Sequence, residues 1–171
     1  MNKSIVPLRG FTPEIGENCF IADTSRVIGD VKMGDDCSIW YGAVLRGDVN
    51  SIRLGDRVNV QDGAIIHCTY EKSKSLIGDD VSIGHGAVIH GCIIEKEVLI
   101  GMKAVVMDNT VIPSHVIIAA GAVVLENQRL ESGWIYAGVP AKKLKKLEAD
   151  NLEFFIKRTA KNYIKYSSWY K

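Results

Sequence analysis

Residues 77–124 read IGDDVSIGHGAVIHGCIIEKEVLIGMKAVVMDNTVIPSHVIIAAGAVV. An aliphatic residue returns every six positions, with one step of five: Ile77, Ile83, Ile89, Ile94, Ile100, Val106, Ile112, Ile118 and Val124. Upstream the same rhythm holds at Ile15, Ile21, Val27, Met33, Ile39 and Leu45, then at Leu54, Val60 and Ile66. All 18 positions are apolar. An amphipathic helix would space such residues three and four apart, and a two-faced strand would alternate. A period of six predicts an all-β fold, the parallel β-helix, with three short strands per coil and one inward residue per strand. Eighteen hexads make about six coils. The fifth hexad position is also small or β-branched, from Cys19, Val31, Cys37 and Ala43 to Val116 and Ala122, which suits packing behind the corners.

Three steps depart from six: Leu45 to Leu54, Ile66 to Ile77 and Ile89 to Ile94. With the three faces labelled in order from Ile15, every departure follows the third face. The irregular segments are therefore expected at one corner, where function usually sits on a regular scaffold.

The chain has 171 residues, with 21 Lys+Arg against 20 Asp+Glu. That balance gives no global basic field for nucleic acid. No apolar run is long enough to span a membrane, and MNKSIVPLRGFTP lacks the apolar stretch of a signal peptide. A cytoplasmic, reduced protein is expected. Cys19 and Cys37 lie one coil apart and read as stacked fillers rather than a disulfide. Residues 1–140 are assigned to the β-helix, with ENQRLESGWIYAGVPAKKLKKL leaving it as irregular structure. Residues 141–171 are assigned to a C-terminal helical segment packing on it. Asp150 and Glu153 suggest a capping box, and Leu152, Phe155, Ile156, Thr159, Tyr163 and Tyr166 an apolar stripe. Lys142, Lys143, Lys145 and Lys146 read as a solvated run.

The face map sorts the polar residues. The second residues of third-face hexads run Ile28, Arg46, His67, His90 and Met107, so Arg46, His67 and His90 form a column. His67 and His90 are thereby set to share an ion. His85 lies 18 residues after His67 but belongs to the second face, because the inserted loop cancels the apparent stacking. It joins the pair only if a second copy brings its second face against the first copy's third face, a head-to-tail contact that closes as a trimer. Three imidazoles leave a fourth position open for water, the arrangement of a catalytic zinc. Asn59, Gln61 and Asp62 would accompany His85, and Asp48 follows Arg46. Cys68 and Cys92 read as packing, and His115 as a turn residue.

AVLRGDVNSIRLGDRVNVQDGAIIH at 43–67 followed by IGHGAVIHGC at 83–92 resembles the gamma-class carbonic anhydrases and their compact bacterial homologues. The resemblance runs from about Phe11 through the C-terminal helix. It implies a left-handed β-helix, a homotrimer, and a metal held by His67 and His90 of one subunit and His85 of the next. It further implies hydration of carbon dioxide to bicarbonate by zinc-bound hydroxide, with Gln61 orienting the hydroxide and Asn59 holding substrate. Arg46 and Asp48 would tie subunits together and shape the site, and Tyr163 would line the pocket. Imidazole ligands suit Zn2+, Fe2+ and Co2+ alike. Val49 stands where the best-characterised members place a proton-shuttling glutamate, and the loop CTYEKSKSL has Glu71 as its one acid. The competing readings are a CoA-ester thioesterase, an acyltransferase on the same fold, and a non-catalytic metal-binding trimeric scaffold.

Overall fold

The computed structural model describes residues 3–170. Short parallel strands wind into a three-sided solenoid whose hollow is filled by the hexad residues. On the second face Ile21, Ile39, Val60, Ile83, Ile100 and Ile118 stand in register, strand upon strand. The third face stacks Val27, Leu45, Ile66, Ile89, Val106 and Val124. The first stacks Ile15, Met33, Leu54, Ile77, Ile94 and Ile112. Neighbouring strands lie about 4.8 Å apart, so each side chain touches its counterpart above and below. All 18 lie in or against the core, and only Ile15 and Ile21 are partly open. They belong to the first coil, where strand Ile5–Val6 covers the third face alone. The fifth-position residues fill the space behind the corners, and no disulfide joins the four cysteines.

Four local expectations need correction. The segment after Val124 does not leave the prism. Trp134–Ala137 adds a parallel second-face strand, with Tyr136 stacked on Ile118. It gives a seventh coil, hidden from an aliphatic search because an aromatic ring fills the inward place. Lys142–Lys146 then reverses and pairs antiparallel with it, so regular pairing continues past residue 140.

The nine-residue step at Leu45 is not a loop either. Val44–Leu54 is one strand running from the third face into the first. Its register against Arg26–Met33 slips between Gly29/Gly47 and Val31/Ile52, so the extra residues form a bulge. Bulges re-aim side chains, and Asp48 lies in this one. Only the step after Ile66 makes a true corner loop, at residues 68–74.

The Asp150–Glu153 capping box does not form. The helix starts earlier, at Ala149, with Glu148 as its N-cap and no side-chain cap bond. Asp150 therefore lies inside the first turn, where its charge favours the helix dipole.

One member of the predicted stripe, Phe155, is displaced as well, while Leu152, Ile156, Tyr163 and Tyr166 pack as expected. Leu152–Lys157 is a π-helical stretch before the α-helix Arg158–Ser168. Its wider turn brings residues four apart into line. Leu152, Ile156 and Ala160 face the solenoid, while Phe155 turns out to 43% exposure. The helix runs down the outside of the second face. It meets Leu99, Ile117 and Ile135 near one end and Phe20 and Trp40 near the other, where Tyr163 and Tyr166 pack.

Ile39→Ala leaves a hole between Ile21 and Val60 that the stacked coils cannot close. Urea unfolding should show a loss of about 2–5 kcal/mol. Leu144→Ala, at 63% exposure, should change it by less than about 0.5 kcal/mol.

Candidate metal centre

The third-face column converges as the register demands. His67 and His90 are direct partners on neighbouring strands, and their rings lie 5.2 Å apart. Nδ1 of His67 lies 3.2 Å from Nε2 of His90. The outer nitrogens both meet carboxylates: Nε2 of His67 lies 2.9 Å from Asp48 Oδ1, and Nδ1 of His90 lies 2.8 Å from Asp108 Oδ2. Arg46 Nη1 donates to the other Asp48 oxygen at 2.5 Å. Ser73 donates to the other oxygen of Asp108.

Both aspartates are held in the charged form. Desolvation opposes ionisation of Asp48, but hydrogen bonds from Arg46 and His67 outweigh it and lower its pKa. Desolvation likewise opposes charge on Asp108, and bonds from Ser73, His90 and Thr69 prevail.

Ionised carboxylates dictate the tautomers. A neutral imidazole has one N–H. His67 commits its own to Asp48 and His90 commits its own to Asp108. The inner nitrogens, 3.2 Å apart, are then both lone pairs. Two acceptors at that separation repel unless a cation or an added proton stands between them. An ion about 2.0–2.1 Å from each nitrogen in a tetrahedral set holds them about 3.3 Å apart, so the pair fits zinc. Each histidine is also backed by a carboxylate, as metal-bound imidazoles usually are.

Among the described residues, no three His, Cys, Asp or Glu side chains gather into a metal-sized cluster. His85 stands on the second face, at the turn after Ser82–Ile83. Its side chain is 48% exposed, and its Nδ1 lies 2.9 Å from Asp62 Oδ2.

Around His85 a second set assembles. Gln61 is 5% exposed and donates from Nε2 to Asn59 Oδ1 at 3.0 Å. Asn59 donates in turn to Ser82 Oγ at 2.7 Å. Each end of the buried Asn59 amide thus makes one hydrogen bond within the chain, which holds it beside Gln61. Tyr163 reaches this set from the helix, lining a cleft with Gln61 and His85. That cleft has a volume of about 560 Å³ and an apolar wall that includes Leu99, Met102 and Ile117.

The nine expected residues thus fall into two separate groups on different faces. Arg46, Asp48, His67 and His90 make one; Asn59, Gln61, Asp62, His85 and Tyr163 make the other. Asp108 was missed. It occupies the third hexad position beside the His column, level with Gly91 one coil away. Reading that neighbouring column for a carboxylate would have found it. Val49 is half-buried against the core and lines, with Arg9, Asp48, Asn50 and Glu71, a second cleft of about 290 Å³.

Residues 12–47 match the family model "Bacterial transferase hexapeptide (six repeats)". "Gamma carbonic anhydrase 2, mitochondrial" of Arabidopsis thaliana is 42% identical over 90% of the chain and 56% of its own length. The chain thus spans about half the length of such plant relatives. "Carbonic anhydrase" of Geobacillus kaustophilus is 35% identical over 98% of this chain and 91% of its own. The solved structure of a "hexapeptide transferase family protein" from Anaplasma phagocytophilum has a TM-score of 0.95 at 36% identity, with both chains fully covered.

Burial and then the nearby Asp62 charge push the Tyr163 hydroxyl up to about 12 from an ordinary 10. A raised folded pKa means that its stabilising contribution is complete below pH 10 and is lost as pH climbs towards 12. Tyr163→Phe should therefore lose less stability than wild type between those values. Paired urea midpoints at pH 9 and 11.5 measure the difference.

Proposed function

Because the chain belongs to the gamma carbonic anhydrase family, we propose that it hydrates carbon dioxide to bicarbonate at a zinc site shared between subunits of a homotrimer. The observation that carries this reading is the division of the site. The lone pairs of His67 and His90 converge on one face, and His85 projects from another with Gln61 and Tyr163 beside it. A neighbour that places its second face on this third face would complete a three-imidazole set.

When bound, the ion supplies Lewis acidity that brings the pKa of a coordinated water to about 7. The chain's own groups do the rest. Asp48, Asp62 and Asp108 hold the histidines in their ligand tautomers. Gln61, its NH2 tied to Asn59, keeps its carbonyl oxygen as an acceptor to orient the attacking water. The apolar cleft walls suit carbon dioxide, which carries no charge. Arg46 anchors the bulge through Asp48. Val49 brings no acid to the cleft beside Asp48, and Glu71 is the acid that lines it with Val49.

The apolar cleft is far larger than carbon dioxide needs and favours a second reading, cleavage or transfer of an acyl group from a CoA ester. Metal analysis and stopped-flow hydration on protein purified without oxygen separate the two. A zinc-loaded protein that leaves carbon dioxide unreacted while cleaving acyl-CoA would replace the first reading with the second.

The protein should run in solution near three times 18.8 kDa. His67→Ala and His85→Ala should each abolish zinc binding. Verified mixed trimers of the two variants should regain sites where His85 of one chain meets His67 and His90 of another. Mixed trimers without metal would place all three ligands in one chain.

Turnover should rise with buffer concentration, because proton release has no acid at position 49, while kcat/KM stays nearly constant. A rate indifferent to buffer that falls in Glu71→Gln would give the proton path to Glu71.

A further inference from the structure

The corner loop at 68–74 is tied to the coil beyond it through one carboxylate. Ser73 donates its hydroxyl to Asp108 Oδ1 and accepts the backbone N–H of Thr69 at 3.0 Å. Asp108 Oδ2 takes His90 Nδ1 at 2.8 Å. One aspartate thus bridges the loop to an imidazole, one oxygen for each. Gly91 leaves the space: a Cβ there would lie 2.0 Å from Ser73 Oγ and 2.3 Å from Asp108 Oδ1. Its φ of +57° is also one that L side chains seldom adopt.

This bridge has a chemical consequence for His90. The hydrogen on Nδ1 is committed to Asp108, so the lone pair stays on Nε2, facing His67. Without that acceptor the imidazole is free to exchange tautomers or to rotate about χ2. Either movement takes the lone pair away from the point it shares with Nδ1 of His67. Asp48 does the same for His67, but from the bulge. The two ligands are therefore locked through separate irregular segments of the same corner, and Ser73 leads the loop contacts that set Asp108.

We propose that Asp108, aimed by Ser73, is the positioning residue that fixes His90 as an Nε2 metal ligand, and that the 68–74 loop acts on the metal through this contact. The inference rests on the zinc reading above. Loss of such a carboxylate behind a ligand typically costs 10–100-fold in metal affinity.

The experiment measures zinc affinity by competition with a chelating dye and the visible spectrum of the cobalt-loaded protein. It uses wild type, Asp108→Asn, Ser73→Ala and the double variant, each first confirmed as folded and of wild-type mass. Asp108→Asn should weaken zinc binding 10–100-fold and alter the cobalt bands. Ser73→Ala should weaken zinc binding by a smaller factor, and the double variant should match Asp108→Asn, since Ser73 acts through the same group. Should Asp108→Asn fail to fold, Ser73→Ala decides alone, because it leaves the carboxylate in place. Wild-type affinity and an unchanged cobalt spectrum in a folded variant would overturn the positioning role only. Wild-type protein that takes up neither metal would overturn the zinc reading, and this inference with it.

Discussion

Everything in this molecule hangs on the in-register stacking of aliphatic side chains inside the coil. Each rung contributes three inward residues, and each meets its own kind about 4.8 Å away. A fully buried Ile or Leu gives about 1.5–3 kcal/mol, and a slip of one residue would turn such side chains outward. The register is therefore rigid, and the polar residues just outside the core inherit it. His67 meets His90 because Ile66 meets Ile89. No separate device is needed to bring the pair together.

What the register cannot do is orient the rings, and here the departures from regularity matter. The bulge in Val44–Leu54 brings Asp48 to His67, and the corner loop brings Ser73 to Asp108 and so to His90. The scaffold supplies position and the irregular corner supplies tautomer. The same division holds on the second face, where Asp62 pairs with His85 and the Asn59–Ser82 contact supports Gln61.

Six coils of the solenoid were legible to the residue, since a period of six leaves few alternatives and all three columns match it. The separation of His85 from the other two histidines was legible too, once the inserted residues were counted into the coil. Asp108 was not, because a lone aspartate beside Met107 carries no mark of its purpose until the neighbouring column is read across. The seventh coil escaped because Tyr136 broke the aliphatic rule. Phe155 escaped for a different reason: a π-helical stretch has no signature in apolar spacing, so it was placed inward beside Leu152 and Ile156, where Ala160 takes that side instead. Asn59 was assigned by likeness alone, and the structure adds that it is held by Ser82 and itself holds Gln61.

A solenoid built by adding rungs has no inherent reason to stop, and its last rung is a template for another chain. Here the final strand, Lys142–Lys146, runs against the direction of every rung beneath it on that face. A new coil arriving from a second molecule would find an antiparallel partner where parallel pairing is required. It would also find four ammonium groups along an exposed edge, a recognised way to blunt open strands. The reversed lysine strand is thus a terminator, keeping a stackable fold from growing end to end into fibres.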